Sequence, residues 1–379
     1  MRALHVITGL GTGGAEQQLR LLLRHLPVSC DVVTLTNAGP VARALAADGV
    51  RVTDLGMAGN RDLAALPRLV RLIRRGRYDL VHTHLYRACL YGRIAARLAG
   101  VRAVVATEHS LGDTQLEGRR LTAGVRALYL AGERLGRSTV AVSPTVAERL
   151  RGWGVPGPRI EVVPNGIDLE RFRFDPERRQ RARARLGIPR DAFVVGGIGR
   201  LAPGKRFDVL IRALAELPPD CRLLLVGGGA EEEALRRAAA RAGVTGRVVF
   251  AGERPYVCDD PAEPDLPALT SAMDVLASPS AEESFGLAVI EALAAGLPVL
   301  YSSCPAVEDL PPAAAPAARR IAGGAGAYAA ALAAARAAGS GPRTAPEAAR
   351  HYCITRSAAQ LMDVYAAALA TVPQGVSTP

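Results

Sequence analysis

Two glutamates frame the run Glu283-Ser284-Phe285-Gly286-Leu287-Ala288-Val289-Ile290-Glu291, eight positions apart. Eight residues are about two turns of helix, but Gly286 falls between the carboxylates, near the start of the helical pattern. The expected arrangement puts Glu283 on the preceding loop and Glu291 two turns into the helix. Ser284, Phe285, Gly286 and Leu287 then offer backbone N–H groups at the helix N-terminus. Such a tip receives an anion, with a carboxylate on either side to hold hydroxyls. A solvent-facing pair of glutamates on an amphipathic helix is the plainer alternative. It fits poorly, because Glu291 falls within the otherwise apolar run Leu287 to Leu297.

A second cluster is cationic. Of the 47 lysines and arginines only Lys205 is a lysine. Ammonium is a compact, strongly hydrated point charge, whereas guanidinium is a broad planar fork, so the two are not equivalent. Lys205 lies in Gly199-Arg200-Leu201-Ala202-Pro203-Gly204-Lys205-Arg206, after the apolar run Phe193 to Ile198. A strand that empties into a Gly/Pro loop carrying cations is a place for anions.

Three glycine-rich loops suggest nucleotide chemistry and are weakened by their surroundings. Gly9-Leu10-Gly11-Thr12-Gly13-Gly14 matches G-x-G-x-x-G, but the second strand ends at Asn37 rather than at the acid a nicotinamide ribose requires; Asp31 opens that strand instead. The Lys205 loop matches G-x-x-x-x-G-K, but Arg206 stands where a magnesium-binding Ser or Thr belongs. Gly227-Gly228-Gly229 reads as a structural turn.

These loops need elements to position them. At 379 residues the chain exceeds what one core usually supports, so two domains are expected. Short β-rich runs alternate with amphipathic segments, the signature of parallel α/β units. Strands are expected at Ala3 to Thr8, Asp31 to Thr36, Val50 to Asp54, Leu80 to Thr83, Ala103 to Thr107, Ser138 to Val142 and Ile160 to Val163. A second series runs Phe193 to Ile198, Arg222 to Val226, Val248 to Ala251, Val275 to Ser278 and Val299 to Ser302. Leu19, Leu22, Leu23 and Leu26 recur at helical spacing, and Ser143-Pro144 marks a helix start. The Arg-rich stretch 171–185 reads as part of a connector, its charges forming a solvated helix face; a membrane-surface role is the sharper alternative. Residues 311–350 are rich in Ala, Gly and Pro and carry little pattern, the segment Thr355 to Leu369 reads as helix, and 372–379 as frayed.

Composition narrows the partners. The chain is 49% hydrophobic and 22% charged, which excludes wholesale disorder, and its 4% aromatic content excludes extended base-stacking platforms. The net charge of +11 favours anionic ligands. No apolar run is long enough to span a membrane, Met1 to Ile7 reads as a first strand rather than a leader, and six scattered cysteines suggest neither zinc nor disulfides. A reducing cytoplasm is the expected setting.

In order and spacing, a further set of residues resembles one family. Gly13-Gly14-Ala15-Glu16, Thr107-Glu108-His109-Ser110, Val142-Ser143, Val163-Pro164-Asn165-Gly166-Ile167-Asp168, Gly199-Arg200 with Lys205, Pro279-Ser280, and Glu283 to Glu291 together are similar to the retaining glycosyltransferases of GT-B architecture, family 4 (glycosyl transferases group 1). The resemblance covers most of the length. It implies an α/β fold of two Rossmann-like doubly wound domains facing a cleft. Residues 1–168 would form an acceptor-side domain and 169–350 a nucleotide-sugar domain, with a C-terminal helix over 351–371 returning towards the first.

The roles implied are specific. Arg200 and Lys205 would grip the donor's diphosphate, helped by N–H groups near Gly13 and Gly14 and at Ser284, Phe285, Gly286 and Leu287. Glu291 would hold the ribose, Glu283 the hydroxyls of the transferred sugar, and His109 would lie beside that sugar; Asn165 joins the donor-binding set. His109 could instead be a buried structural histidine, hydrogen-bonded or paired with Glu108. The resemblance implies a nucleotide-diphosphate sugar as co-substrate, UDP favoured, with no metal and no other cofactor. The acceptor would be a glycan, a lipid-linked intermediate or a small metabolite; nucleic acid is not expected. Peripheral contact with an anionic membrane at the inner face is a further expectation. A nucleotide-sugar epimerase of the same architecture and a non-catalytic sugar-nucleotide-binding protein are the alternatives. Two departures from the family pattern stand out. Pro255 to Pro264 is an insertion where relatives contact the base; it contains Asp259-Asp260, read as loop rather than as a metal-binding pair. Tyr301-Ser302-Ser303-Cys304-Pro305 replaces a Gly-containing turn.

Overall fold

The computed structural model describes residues 1–59, 62–112, 115–117, 119–257, 263–339 and 341–370. Cys258-Asp259-Asp260-Pro261 and the segment 372–379 lie outside the described residues. The chain divides into two compact units, Met1–Gly166 with the chain from Ile354, and Ile167–Cys353.

In the first unit the strands are β1 (Arg2–Gly9), β2 (Ser29–Asn37), β3 (Arg51–Asp54), β4 (Leu80–His84), β5 (Ala103–Glu108), β6 (Gln115–Leu116), β7 (Arg119–Arg120), β8 (Ser138–Ala141) and β9 (Ile160–Val162). Seven of them form one parallel sheet in the order β3-β2-β1-β4-β5-β8-β9, and β6 pairs antiparallel with β7. The central strands are buried on both faces, which is why they read as near-continuous apolar runs. On one face Ala3, Ile7, Leu80, Ala103 and Val105 meet Leu19, Leu22 and Leu23 of the first helix and Ile354, Ala358, Leu361 and Tyr365 of the C-terminal helix Ile354–Ala370. Those four recur three or four residues apart, one stripe of a helix. On the other face Leu4, Val6, Val81 and Val104 pack with Leu69 and Ile73.

The second unit contains β10 (Phe193–Ile198), β11 (Cys221–Val226), β12 (Val248–Gly252), β13 (Val275–Ser278), β14 (Val299–Tyr301) and β15 (Ala318–Arg320). These form a parallel sheet of six strands, β12-β11-β10-β13-β14-β15. Both units are therefore doubly wound Rossmann-like α/β layers. β15 has no β-branched or aromatic residue, so nothing in its sequence announced it; pairing with β14 makes it a strand.

The Arg-rich connector takes a different form from the one expected. It contains two helices, Leu169–Phe172 and Pro176–Arg185, that belong to the second unit. Arg179 donates to the carbonyls of Ser271, Ala272 and Met273 at 3.2, 3.3 and 2.9 Å and to Asp274 at 2.7 Å. Arg183, almost fully buried, donates to Ala272 O at 2.9 Å and to Asp274 at 2.8 Å. Two guanidinium groups thus satisfy the open carbonyl end of the helix Leu266–Ala272 and neutralise one buried carboxylate. Arg178, Arg181 and Arg185 each have an acidic partner, Asp175, Glu177 and Glu263 respectively. Among the described residues no helix is long and apolar enough to cross a membrane.

Candidate functional site

In an open parallel sheet, ligands bind beyond the carboxyl ends of the strands. In the second unit Arg200 and Lys205 follow β10, Gly227 follows β11, Tyr256 follows β12, Glu283 follows β13 and Cys304 follows β14. The structure brings Lys205 and Glu283 into direct contact: Lys205 Nζ donates to Glu283 Oε1, and both side chains are partly buried. Arg200 is exposed on the same loop.

Backbone contacts fix the loop that carries Lys205. Leu201 N donates to Gly228 O at 2.8 Å, and Ala281 N donates to Gly204 O at 3.0 Å, joining the loops after β10, β11 and β13. Gly227 has φ +137°, and a Cβ there would stand 2.0 Å from Gly199 O. Only glycine allows that approach. The triple-glycine loop is therefore a buttress for residues 199–201, as a structural turn should be.

Gly286, at φ +100°, caps the helix Leu287–Ala294. A Cβ at that position would lie 2.4 Å from Cys304 Sγ, and the Cys304 thiol donates to Phe285 O at 3.4 Å. The turn Ser302 to Pro305, which departs from the family pattern, thus packs under the helix tip. Ser284 and Leu287 are half-buried and Phe285 is buried, its ring edge-on to Tyr352 at 5.0 Å.

Glu291 lies in the apolar part of the same helix and is 2% exposed. Burial pushes its carboxyl up to about 7, against a smaller downward pull from the Tyr256 hydroxyl, which donates to Glu291 Oε1. Tyr256 is itself anchored: its carbonyl accepts from Arg171 at 2.9 Å and its ring stands edge-on to Phe172 at 5.5 Å. Sequence reasoning missed this residue. Its only signal was its place in the insertion after Gly252-Glu253-Arg254.

In the first unit Gly13 caps the helix Gly14–Leu23 and both glycines are exposed. Asn37, where a ribose-binding acid was sought, has another task. Its carbonyl accepts from Leu10 N at 2.9 Å and its side chain accepts from Gly39 N at 2.9 Å, holding the glycine loop in place. Asn165 is buried beyond β9, beside Gly166, which packs against Ile354.

His109 follows β5 and is 8% exposed. Its partner is not Glu108. Alternation along the strand sends Glu108 to the other face, where it accepts from Tyr129 at 2.9 Å and meets the Cys89 thiol at 3.7 Å. His109 Nε2 lies instead 3.1 Å from His84 Nδ1, and His84 Nε2 lies 3.0 Å from His5 Nδ1. His82 is held by Tyr365 at 2.6 Å and Thr107 at 2.7 Å. Burial lowers His109 to about 4 and His5 to about 3, and pushes His82 and His84 well below the usual imidazole range, so all four are neutral near pH 7. Ligating atoms of His5, His82 and His84 come within 4.8 Å of one another. Both nitrogens of His82 and of His84 are hydrogen-bonded, so the set is closed on itself rather than open to a cation.

Comparison with known proteins agrees with this architecture. Residues 12–171 match the family described as Glycosyltransferase Family 4, and residues 178–310 match Glycosyl transferases group 1. The 2-deoxystreptamine glucosyltransferase of Streptomyces kanamyceticus is 33% identical, over 62% of this chain and 62% of its own. The D-inositol 3-phosphate glycosyltransferase of Streptomyces avermitilis is 36% identical, over 61% and 52%. A UDP-Gal:alpha-D-GlcNAc-diphosphoundecaprenol alpha-1,3-galactosyltransferase of Escherichia coli is 30% identical, over 64% and 62%. The matches thus span about half to three-fifths of the length of these curated relatives. Among solved structures, Anabaena HepE in complex with UDP-glucose superposes with a TM-score of 0.83 at 22% identity, covering 97% of this chain and all of that one. Two family models in succession, each laid over one of two Rossmann-like units, leave one assignment: the chain belongs to the GT-B glycosyltransferases of family 4 and group 1.

Proposed function

We propose that the protein transfers a sugar from a nucleotide-diphosphate sugar, UDP-sugar favoured, to an acceptor hydroxyl, with retention of anomeric configuration and without a metal. The observation that carries this reading is the Lys205–Glu283 ion pair at the foot of the helix that buries Glu291. Glu291 holds the ribose and Glu283 the hydroxyls of the transferred sugar. Arg200 and Lys205 face the diphosphate, joined by N–H groups at Ser284 to Leu287 and at Gly13 and Gly14, with Asn165 in the donor-binding set. His109 lies beside the sugar. A relative named as a UDP-Gal galactosyltransferase and a structural neighbour in complex with UDP-glucose support the choice of nucleotide.

The chemistry follows from charge. The bond from the anomeric carbon to the diphosphate oxygen breaks and leaves its electron pair on the phosphate. A unit charge pair at 4 Å is worth about 4 kcal/mol at an effective dielectric near 20. Two cations whose contacts tighten as that charge develops lower the barrier to departure. Holding Lys205 on Glu283 beforehand removes the rotamer freedom that a long ammonium stem would otherwise lose at the transition state. The acceptor oxygen attacks from the same face, forms the new bond to the anomeric carbon, and gives its proton to the departing phosphate.

The test is a thermal-shift screen of nucleotide sugars, followed by turnover with and without acceptors. A donor at a hundred times its dissociation constant stabilises by about 2.7 kcal/mol. The panel should include 2-deoxystreptamine, D-inositol 3-phosphate and a polyprenyl-diphosphate-linked sugar, which the names of the relatives suggest. Donor consumption that requires an acceptor supports transfer. Acceptor-free conversion of the donor to an epimer, or donor binding with no turnover across the panel, contradicts it.

A further inference from the structure

The histidine row behind His109 has a property that follows from counting protons. A neutral imidazole carries one N–H and one lone pair. His84 uses both nitrogens, one towards His109 Nε2 at 3.1 Å and one towards His5 Nδ1 at 3.0 Å. It must donate in one direction and accept from the other, so the whole row has two arrangements. In the first, protons sit on Nδ1 of all three rings, His109 points an N–H away from the row, and His5 Nε2 is a bare lone pair. In the second, they sit on Nε2 of all three, His109 Nδ1 is the bare lone pair, and His5 Nε2–H is unpaired.

The two ends of the row differ. His5 is fully buried on the face of the sheet lined by Ala3, Ile7 and Leu80, and its Nε2 has no partner among the described residues. His109 Nδ1 is likewise buried and without a partner among the described residues, but His109 follows β5 at the carboxyl edge of the sheet, where a ligand oxygen can accept from it. A buried N–H without an acceptor is rarer than a buried acceptor without a donor. Each arrangement leaves one N–H at an end of the row, and only at the His109 end, on the carboxyl edge, can a bound ligand supply its acceptor, which selects the first arrangement. Because His5 Nε2 is sealed from water, no proton can enter there to convert one arrangement into the other along the row.

We propose that His84 and His5 are positioning residues that lock His109 as its Nδ1–H tautomer, aimed as a neutral hydrogen-bond donor at an oxygen of the bound sugar. Neither touches substrate; both act through His109. His82 lies outside the row, its two nitrogens fixed by Tyr365 of the C-terminal helix and by Thr107. The catalytic half of this inference rests on the role proposed for His109 above; the tautomer half stands without it.

Imidazole nitrogen NMR on the full chain labelled with 15N-histidine tests the tautomer directly, since six histidines give few signals and single substitutions assign them. The expected result is Nδ1–H at His109, His84 and His5, neutral from pH 5 to 8. In His5→Leu the row loses its end donor, and His109 shifts towards the Nε2–H form that free histidine favours. In His5→Asn the side-chain amide can still donate to His84 Nε2, and His109 stays Nδ1–H. With a turned-over donor, His5→Leu should lower kcat about tenfold at unchanged KM and His5→Asn should restore it. An Nε2–H His109 in the wild type overturns the proposal. So does a His109 signal unchanged in both His5→Leu and a second variant, His84→Phe, or uptake of stoichiometric Zn2+ by the wild type. If no donor is turned over while the NMR result holds, the transfer reading fails and the tautomer lock stands.

Discussion

Lys205 and Glu283, 78 residues apart, form an ion pair that ties the loop after β10 to the loop after β13. The partly buried pair gives the lone lysine a local reason to be a lysine. Its ammonium meets one carboxylate oxygen and keeps two further donors for a second anion. The accompanying backbone bond from Ala281 N to Gly204 O ties the same two loops together, and a planar guanidinium fork would present its donors in a different geometry from the compact ammonium. Lys205→Arg is therefore expected to fold normally, with an unchanged melting temperature, and to lose about a hundredfold in kcat. Steady-state kinetics beside a melting curve check it; full activity would return the lysine to chance.

Glu291 makes stability depend on pH in a stated direction. Its folded-state value of about 7 lies above the ordinary 4.5, so the folded protein holds a proton that the unfolded chain releases between those two values. Stability contributed by the neutral carboxyl is present below that window and is lost as pH rises through it, on the order of 3 kcal/mol in total. Glu291→Gln should raise the melting temperature by several degrees at pH 8 and leave it nearly unchanged at pH 4. Paired thermal melts at the two pH values decide this.

Donor binding should follow the opposite slope. Ribose hydroxyls donate to a carboxylate better than to a carboxylic acid, so donor affinity is expected to rise between pH 6 and 8. The Tyr256 hydroxyl bond lowers the carboxyl's value, so Tyr256→Phe should move the midpoint of that rise to higher pH. Calorimetric titration with a nucleotide sugar across this range reads the shift; an unmoved midpoint would separate Tyr256 from Glu291.

The Asp274 cluster is structural. Arg183 and Asp274 are both nearly inaccessible, and Arg179 shares the same carboxylate. Removing one member of a buried ion pair leaves an uncompensated charge and typically costs about 3–5 kcal/mol. Asp274→Ala should destabilise the second unit by that amount, seen as a lowered urea midpoint.

Much of this was legible in the sequence for a physical reason. Strands buried on both faces must be apolar along their whole length, so β1, β5, β10 and β11 declared themselves, and Gly286 within the run from Glu283 to Glu291 marked a helix start. What stayed hidden depends on contacts between distant residues. Tyr256 reaches Glu291 across 35 positions, and Arg179 and Arg183 reach Asp274 across more than ninety. Local periodicity gave those arginines to solvent because their helix is polar nearly all round. The histidines left one readable trace: His84 stands two positions after His82, just past the expected strand Leu80 to Thr83, and the observed strand Leu80–His84 puts both on one buried face.

Sugar transfer itself is tested most directly by the anomeric configuration of a product. The protein should be incubated with a UDP-α-sugar and the acceptor panel in excess EDTA, and any product examined by proton NMR for its anomeric coupling. The account predicts an α-linked product, formed only when acceptor is present and undiminished by the chelator. A β-linked product, an epimerised donor formed without acceptor, or activity abolished by EDTA and restored by a divalent cation would contradict it.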